Sequence, residues 1–332
     1  MSERPLATVQ SAQGENLIHQ LQRDNSIVIR HSRLLPSHTT STSPERLADF
    51  VILFVPRSRL SPSHPVCQTA GVSVPYFQID AFSARIFQGN PAGVCLLESW
   101  LPDDVLQKIA AENNLSETAF IVGQEGEFDL RWLTPTTEVD LCGHATLASA
   151  FVIFTELGFK GATVRFHTRS GMVSATRQDE IITLDFPAWS LNPCPAPADL
   201  VEGLGWMPGE VHRAGEDYLA VVASESDVRS LEPNMAALAA LDCRGIIVAA
   251  PGSDADFVSR FFAPRVGIPE DPVTGSAHSA LIPYWSARLG KTKLFARQLS
   301  SRGGEIFCEA RGERVGIGGR AALYSRGRLE VG

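Results

Sequence analysis

The sequence predicts an α+β protein built as two similar lobes with a ligand-binding cleft between them. Three observations carry this. Apolar runs of strand length dominate, and only a few stretches show helical spacing. An ordered set of residues recurs in the two halves of the chain. The chain has 332 residues, a length that suits about two domains.

The elements follow in order. VPYFQIDAF, from Val74, reads as a strand, Gly89–Pro91 as a Gly-Asn-Pro turn, and GVCLL as the next strand. PDDVLQKIAAENN has a Pro-Asp-Asp start and apolar residues at Val105, Leu106, Ile109 and Ala110, which predict a helix. TAFIV and FDLRWL are strands, and Gly143 to Gly158 is a helix closed by Leu-Gly. TVRFHT, MVSAT and IITLDF are short strands. Residues 186–200 are Pro-rich and read as a linker. The second half again mixes strands (DYLAVVA, GIIVAA, DFVSRFFA, EIFCEA) with two helical stretches. The expected division is therefore a lobe over 74–190 and another over 191–332.

Residues 1–73 stand apart. They hold seven Arg, no Lys and loop-like clusters such as SHTTSTSPE, and they predict a disordered N-terminal extension. A transit segment would also be rich in Arg and Ser, but Glu3, Glu15, Asp24, Glu45 and Asp49 weigh against one.

Apolar residues make up 44% of the chain and charged residues 20%, an ordinary globular balance. A net charge of −8 disfavours nucleic acid or an anionic membrane as a partner. The longest apolar run, FVILFVP, is far short of the ~20 residues of a membrane span. Six scattered cysteines without CxxC, and no secretory signal, point to reduced thiols in a cytoplasmic protein.

The repeat is the strongest signal. Arg131 to Pro135 (RWLTP) is echoed by Arg260 to Pro264 (RFFAP). Asp140 precedes Gly143-His144-Ala145, and Asp271 precedes Gly275-Ser276-Ala277. Each copy closes with Leu-Gly fifteen residues on, at Gly158 and Gly290, and the leading glycines lie 132 residues apart. Arg169-Ser170-Gly171 and Arg302-Gly303-Gly304 extend the match. The first turn of a helix carries free N–H groups and partial positive charge, and glycine lets a ligand approach the backbone. Each lobe thus offers the cleft one anion-accepting helix start.

Four side chains near these starts carry candidate chemistry. Cys142 precedes the first start, where the helix end is expected to lower a thiol's pKa. Its counterpart is Thr274, so a mechanism of two facing thiols is disfavoured. A buried, inert thiol is the plainer reading. Glu117 lies between a helix and the apolar strand TAFIV, where a carboxylate can carry a proton near neutral pH, although position alone does not choose it. His144 can donate a proton or a hydrogen bond. Asp271 can orient a ligand, or simply cap a helix. Histidine spacing, with no HExxH or CxxC, gives no metal site, and no phosphate-binding glycine loop indicates a nucleotide cofactor.

FQIDAF…FQGNPAGVCLL, NLSETAFIV, FDLRWLTPTTEVDLCGHATLA and FFAPRVGIPEDPVTGSAH resemble the phenazine biosynthesis PhzF-like family, from about Val74 to the C-terminus. The resemblance implies the diaminopimelate epimerase-like fold. In that fold each lobe is a bent, mostly antiparallel sheet around a central helix, here GHATLASAFVIF and GSAHSALIPYW. The type member isomerises a dihydro-hydroxyanthranilate without cofactor or metal, moving a proton with one glutamate. That glutamate matches Glu117. His144, Asp271, Gly275 and Ser276 match the family's site, and Asn90 and Gly143 join them as substrate-binding positions. Cys142 occupies the place of the catalytic cysteine in related amino-acid epimerases, a departure that leaves the substrate open.

The expected activity is a cofactor-independent isomerase acting on a small carboxylic acid. Its catalytic residues are Glu117, His144 and Asp271, and Gly143, Gly275, Ser276, Asn90 and Cys142 bind the substrate. A homodimer is implied by the resemblance alone. Two alternatives stay open: an amino-acid epimerase using Cys142, and a non-catalytic binder of small acids.

Overall fold

The computed structural model describes residues 71–332. The expected extension and the run FVILFVP lie outside the described residues.

Strands of the first copy are β1 (Val72–Ala81), β2 (Asn90–Leu97), β3 (Glu117–Gln124), β4 (Glu127–Leu133), β5 (Glu138–Val139), β6 (Thr163–Thr168), β7 (Gly171–Gln178), β8 (Ile181–Pro187) and β9 (Leu191–Pro193). Those of the second are β10 (Glu210–Ala214), β11 (Asp217–Val221), β12 (Ile246–Pro251), β13 (Phe257–Phe262), β14 (Lys293–Gln298), β15 (Gly304–Arg311), β16 (Arg314–Gly319) and β17 (Ala321–Val331). The helices are α1 (Asp103–Asn113), α2 (Gly143–Thr155), α3 (Ala198–Leu204), α4 (Glu225–Ser230), α5 (Met235–Ala240) and α6 (His278–Leu289).

The pairing pattern of the two copies is the same. β1 runs antiparallel to β2, β2 parallel to β3, β3 antiparallel to β4, β4 parallel to β6, and β6, β7 and β8 form an antiparallel run. The same series links β10, β11, β12, β13, β14, β15 and β16. Parallel neighbours need a crossover, and each parallel pair here spans a helical connection. The central helices α2 and α6 cross between β4 and β6 and between β13 and β14. The α+β class with an internal repeat is therefore borne out.

The copies are joined at three places. β8 pairs with β16, β9 with β10, and β17 with β1. Each copy thus lends its last strand to the other. A division at residue 190 leaves β17 on the wrong side of its partner, because its eleven residues pair along nearly all of β1. Order also begins two residues before Val74: Val72 and Ser73 already face Val331 and Glu330.

Three other expectations are corrected. Asn90 and Pro91 are strand residues facing Ala81 and Asp80, so the turn ends at Gly89. The Pro-rich stretch contains β9 and the start of α3. The second half has four helices rather than two.

Packing explains the central helices. In α2 nearly every residue is buried, polar Thr146 and Ser149 included, and a helix apolar all round belongs in a core. Strands β1, β2, β3, β7, β8 and β17 surround it, and β14, β15 and β16 line α6. Trp285 of α6 stacks on Phe257 with centroids 5.6 Å apart and planes 5° from parallel. Pro283 has no N–H to give Ser279, four residues earlier, and the freed Ser279 carbonyl accepts from the Trp189 N–H at 2.9 Å. That bond ties α6 to the segment between the lobes.

The repeated arginines have a structural task. Arg131 grips Glu138 through Nε and Nη2 at 2.8 and 2.6 Å, and Arg260 grips Glu270 at 2.7 and 3.0 Å. Each fork pins the chain just ahead of a central helix. Asp140, by contrast, is exposed and has no counterpart role to Asp271.

Candidate active site

The two helix starts meet. A Cβ placed on Gly143 would lie 3.1 Å from the Gly275 Cα, and one placed on Gly275 would lie 3.1 Å from the Gly143 Cα. A side chain at either position would crowd the facing backbone and push it back by a few tenths of an ångström. The contact brings the free first-turn N–H groups of both lobes to one point. The second start is tighter: His278, Ser279 and Ala280 bond back to Gly275, Ser276 and Ala277, a 3₁₀ turn before α6 proper.

Glu117 arrives from the first lobe. Asn114 closes α1 with φ of 48°, and Glu117 then opens β3 opposite Ala92 of β2. His144 is the second residue of α2 and is 4% exposed. Its Nε2 lies 3.1 Å from Glu117 Oε2, and its Nδ1 lies 3.5 Å from Cys142 Sγ. The Nε2–Oε2 contact is close but poorly aligned, so among the described residues neither atom has a well-directed hydrogen bond. Burial opposes charge on the imidazole, but the Cys142 and Glu117 side chains outweigh it and hold the pKa well above the ordinary value.

The donor atoms of Glu117, Cys142 and His144 fall within 4.8 Å of one another. The imidazole turns one nitrogen to the thiol and the other to the carboxylate. The three thus stand in a row, thiol, imidazole and carboxylate.

Cys142 fits the buried, inert reading rather than the activated one. Burial pushes its pKa up to about 11, and the Glu117 carboxylate adds to the rise. A helix end offers about 0.3–1 kcal/mol to an anion, which desolvation of a buried thiolate exceeds. Alkylation of Cys142 by iodoacetamide at neutral pH is expected to run about two orders of magnitude slower than that of a free cysteine. Peptide mass spectrometry over time checks this, and reaction at the free rate would contradict it.

Asp271 enters from the second lobe. Its carboxylate accepts from Asn90 Nδ2 at 2.8 Å and from Thr274 Oγ1 at 2.6 Å, so it caps no helix. Asn90 also donates to the Val273 carbonyl at 2.9 Å and is fully buried. Burial raises the Asp271 pKa to about 6, with Glu117 adding to the rise and His144, Thr274 and Asn90 opposing it. The sign of the pH effect follows. The folded value exceeds that of an unfolded carboxylate, about 3.9, so the stability lent by neutral Asp271 is complete below that point. It is lost as pH rises through about 6. Thermal melts should show the protein losing stability between about pH 4 and 6.5, and Asp271→Asn should flatten that fall. An unchanged slope in the variant would refute the assignment.

All eight expected site residues gather around the glycine contact or stand next to it in the chain. Three others were not singled out from sequence. Gln298, 1% exposed, accepts from the Thr274 N–H at 2.9 Å and donates to the Asp271 carbonyl at 2.8 Å, clamping that turn. Arg244 donates to Ser276 Oγ, and Asp217 holds Arg244. These residues reach the site from distant strands and turns and carry no local motif.

The phenazine biosynthesis-like protein family model matches residues 79–327. The chain belongs to that family. An uncharacterized isomerase of Pseudomonas aeruginosa is 53% identical over 255 residues, covering 77% of this chain and 98% of the relative. The crystal structure of a PhzF-family protein from Enterococcus faecalis is 46% identical with a TM-score of 0.76, covering 78% of this chain and all of that one. A predicted epimerase of Pseudomonas aeruginosa, 19% identical with a TM-score of 0.62 over 77% of this chain and 99% of its own, shares the fold. The expectation of an isomerase is borne out at the level of this family. Among the described residues no helix is long and apolar enough to cross a membrane.

Proposed function

We propose that the chain is a cofactor-independent isomerase that shifts a proton on a small carboxylic acid, with Glu117 as the acid–base group. One juxtaposition supports this: a carboxylate and an imidazole 3.1 Å apart, poorly bonded to each other, beside two touching glycine-led helix starts. The substrate's carboxylate sits at the N–H groups of those starts. Glu117 takes a proton from one carbon, the electron pair spreads into the adjoining unsaturation, and the same proton returns to another carbon. Bonds and charge balance without a co-reactant. His144 and Asp271 orient the substrate and bias its protonation, and Asn90 holds Asp271 toward the cleft. The homodimer implied by the family likeness belongs to the same proposal.

The epimerase alternative needs a thiolate at Cys142. A pKa near 11 and a threonine at the counterpart position weigh against it. The experiment is to incubate the protein with pooled small carboxylic acids in heavy water and seek carbon-bound deuterium by mass spectrometry. Exchange retained in Cys142→Ser supports the glutamate reading. Exchange at an amino-acid α-carbon that Cys142→Ser abolishes would favour the epimerase, and binding without exchange a non-catalytic binder.

A further inference from the structure

Arg244, in the turn that leads into β12, is held on every side. Asp217, the first residue of β11, is fully buried and accepts from Arg244 Nε at 2.9 Å and also from Nη2. The other end of the guanidinium brackets Ser276, with Nη1 and Nη2 each donating to Oγ at 3.2 Å. The Trp189 and Phe261 rings flank it, their centroids 5.6 and 5.4 Å from Cζ. A planar fork pinned by a buried carboxylate and two rings keeps its donors in fixed directions.

Two consequences follow. Ser276 Oγ already accepts two N–H groups, so its own O–H has to donate away from Arg244, and among the described residues nothing accepts it. Nη1 retains a second N–H, and the Arg244 side chain is 33% exposed. The Ser276 O–H and the second Nη1 N–H are therefore left as free donors at the second helix start.

We propose that Arg244 is a specificity-determining residue, which with Ser276 selects an ionised carboxylate over a neutral group of the same shape. This rests on the reading of the cleft as an acid site, but it does not depend on turnover. A carboxylate offers acceptors only. A primary amide would turn its NH₂ toward donors and leave it unpaired, which binding sites penalise heavily.

Benzoate and benzamide share a shape and differ in charge and in this donor–acceptor pattern, and calorimetry on the whole chain measures the ratio of their affinities. The unaltered protein is expected to prefer benzoate about tenfold or more, the range of one charge-assisted hydrogen bond. Arg244→Met should lower the ratio severalfold, leaving the part that the helix-start N–H groups supply. Arg244→Lys, which keeps charge but cannot hold Asp217 and Ser276 together, should lower it less. Glu117→Gln removes a neighbouring anion and should keep or raise the ratio while abolishing proton exchange, which separates this proposal from the catalytic one. If Arg244→Met fails to fold, Ser276→Ala serves and should lower the ratio severalfold. Equal affinities in the unaltered protein, or full preference kept in Arg244→Met or in Ser276→Ala, would overturn the proposal.

Discussion

Glu117→Gln is expected to lower the rate of proton exchange by about 10²–10⁴-fold, the span of well-placed acid–base catalysis. The amide matches the carboxylate in size and cannot carry the proton. The change should not unfold the protein. Glu117 Oε2 has no well-directed hydrogen bond to lose, and its main electrostatic partner, His144, can shed its proton once the carboxylate is gone. Melting curves should therefore agree within a few degrees while exchange collapses. Glu117→Asp, with the carboxylate drawn back by one methylene, should fall between. Exchange at close to the unaltered rate in Glu117→Gln would remove the mechanism.

The second large effect is expected at the glycine contact. Gly275→Val places its Cβ 3.1 Å from the Gly143 Cα and 3.7 Å from the Gly143 carbonyl carbon. Those atoms are backbone at the head of a buried helix, so relief requires moving α2 within its sheet. Overpacking of this kind costs about 1–3 kcal/mol, and a β-branched residue belongs at the upper end. For a chain of this size that is a loss of roughly 2–4 °C per kcal/mol in melting temperature. The same movement parts the two sets of N–H groups, so acid binding should weaken along with stability. Gly327→Val is the control, because a Cβ there meets nothing. Equal effects at the two positions would mean that the helix starts do not depend on close contact.

Much of this was legible in the sequence because the duplication preserved spacing. RWLTP and RFFAP lie at the ends of the equivalent strands β4 and β13, and the two Gly-x-Ala starts lead into the two central helices, with Gly143 inside its helix and Gly275 three residues ahead of its own. What was not legible has physical causes. β16 and β17, RVGIGG and AALYSRGRLEV, lack a clean alternation, since β17 is largely exposed and its partner lies at the opposite end of the chain. β9 is three residues among prolines, defined by its neighbour β10. Asp217, Arg244 and Gln298 are ordinary polar residues until folding brings them to residues 271–276. At Cys142 the sequence left an activated thiol and a buried, inert one both open, and burial favours the second. Its helix-end position was visible, whereas the depth of its burial was not.

The reciprocal loan of last strands has a consequence for how the chain can be cut. Gly71 and Gly332 lie side by side, with a Cβ on Gly332 reaching within 3.1 Å of the Gly71 Cα. In the chain cut to residues 71–332, a short linker joining them, with a new opening near residues 195–197 between β9 and α3, would give a circular permutant whose halves appear in reversed order and keep every described ladder. One half expressed alone would lack the edge strand its twin supplies, and would have to recover it by pairing with a second molecule of itself.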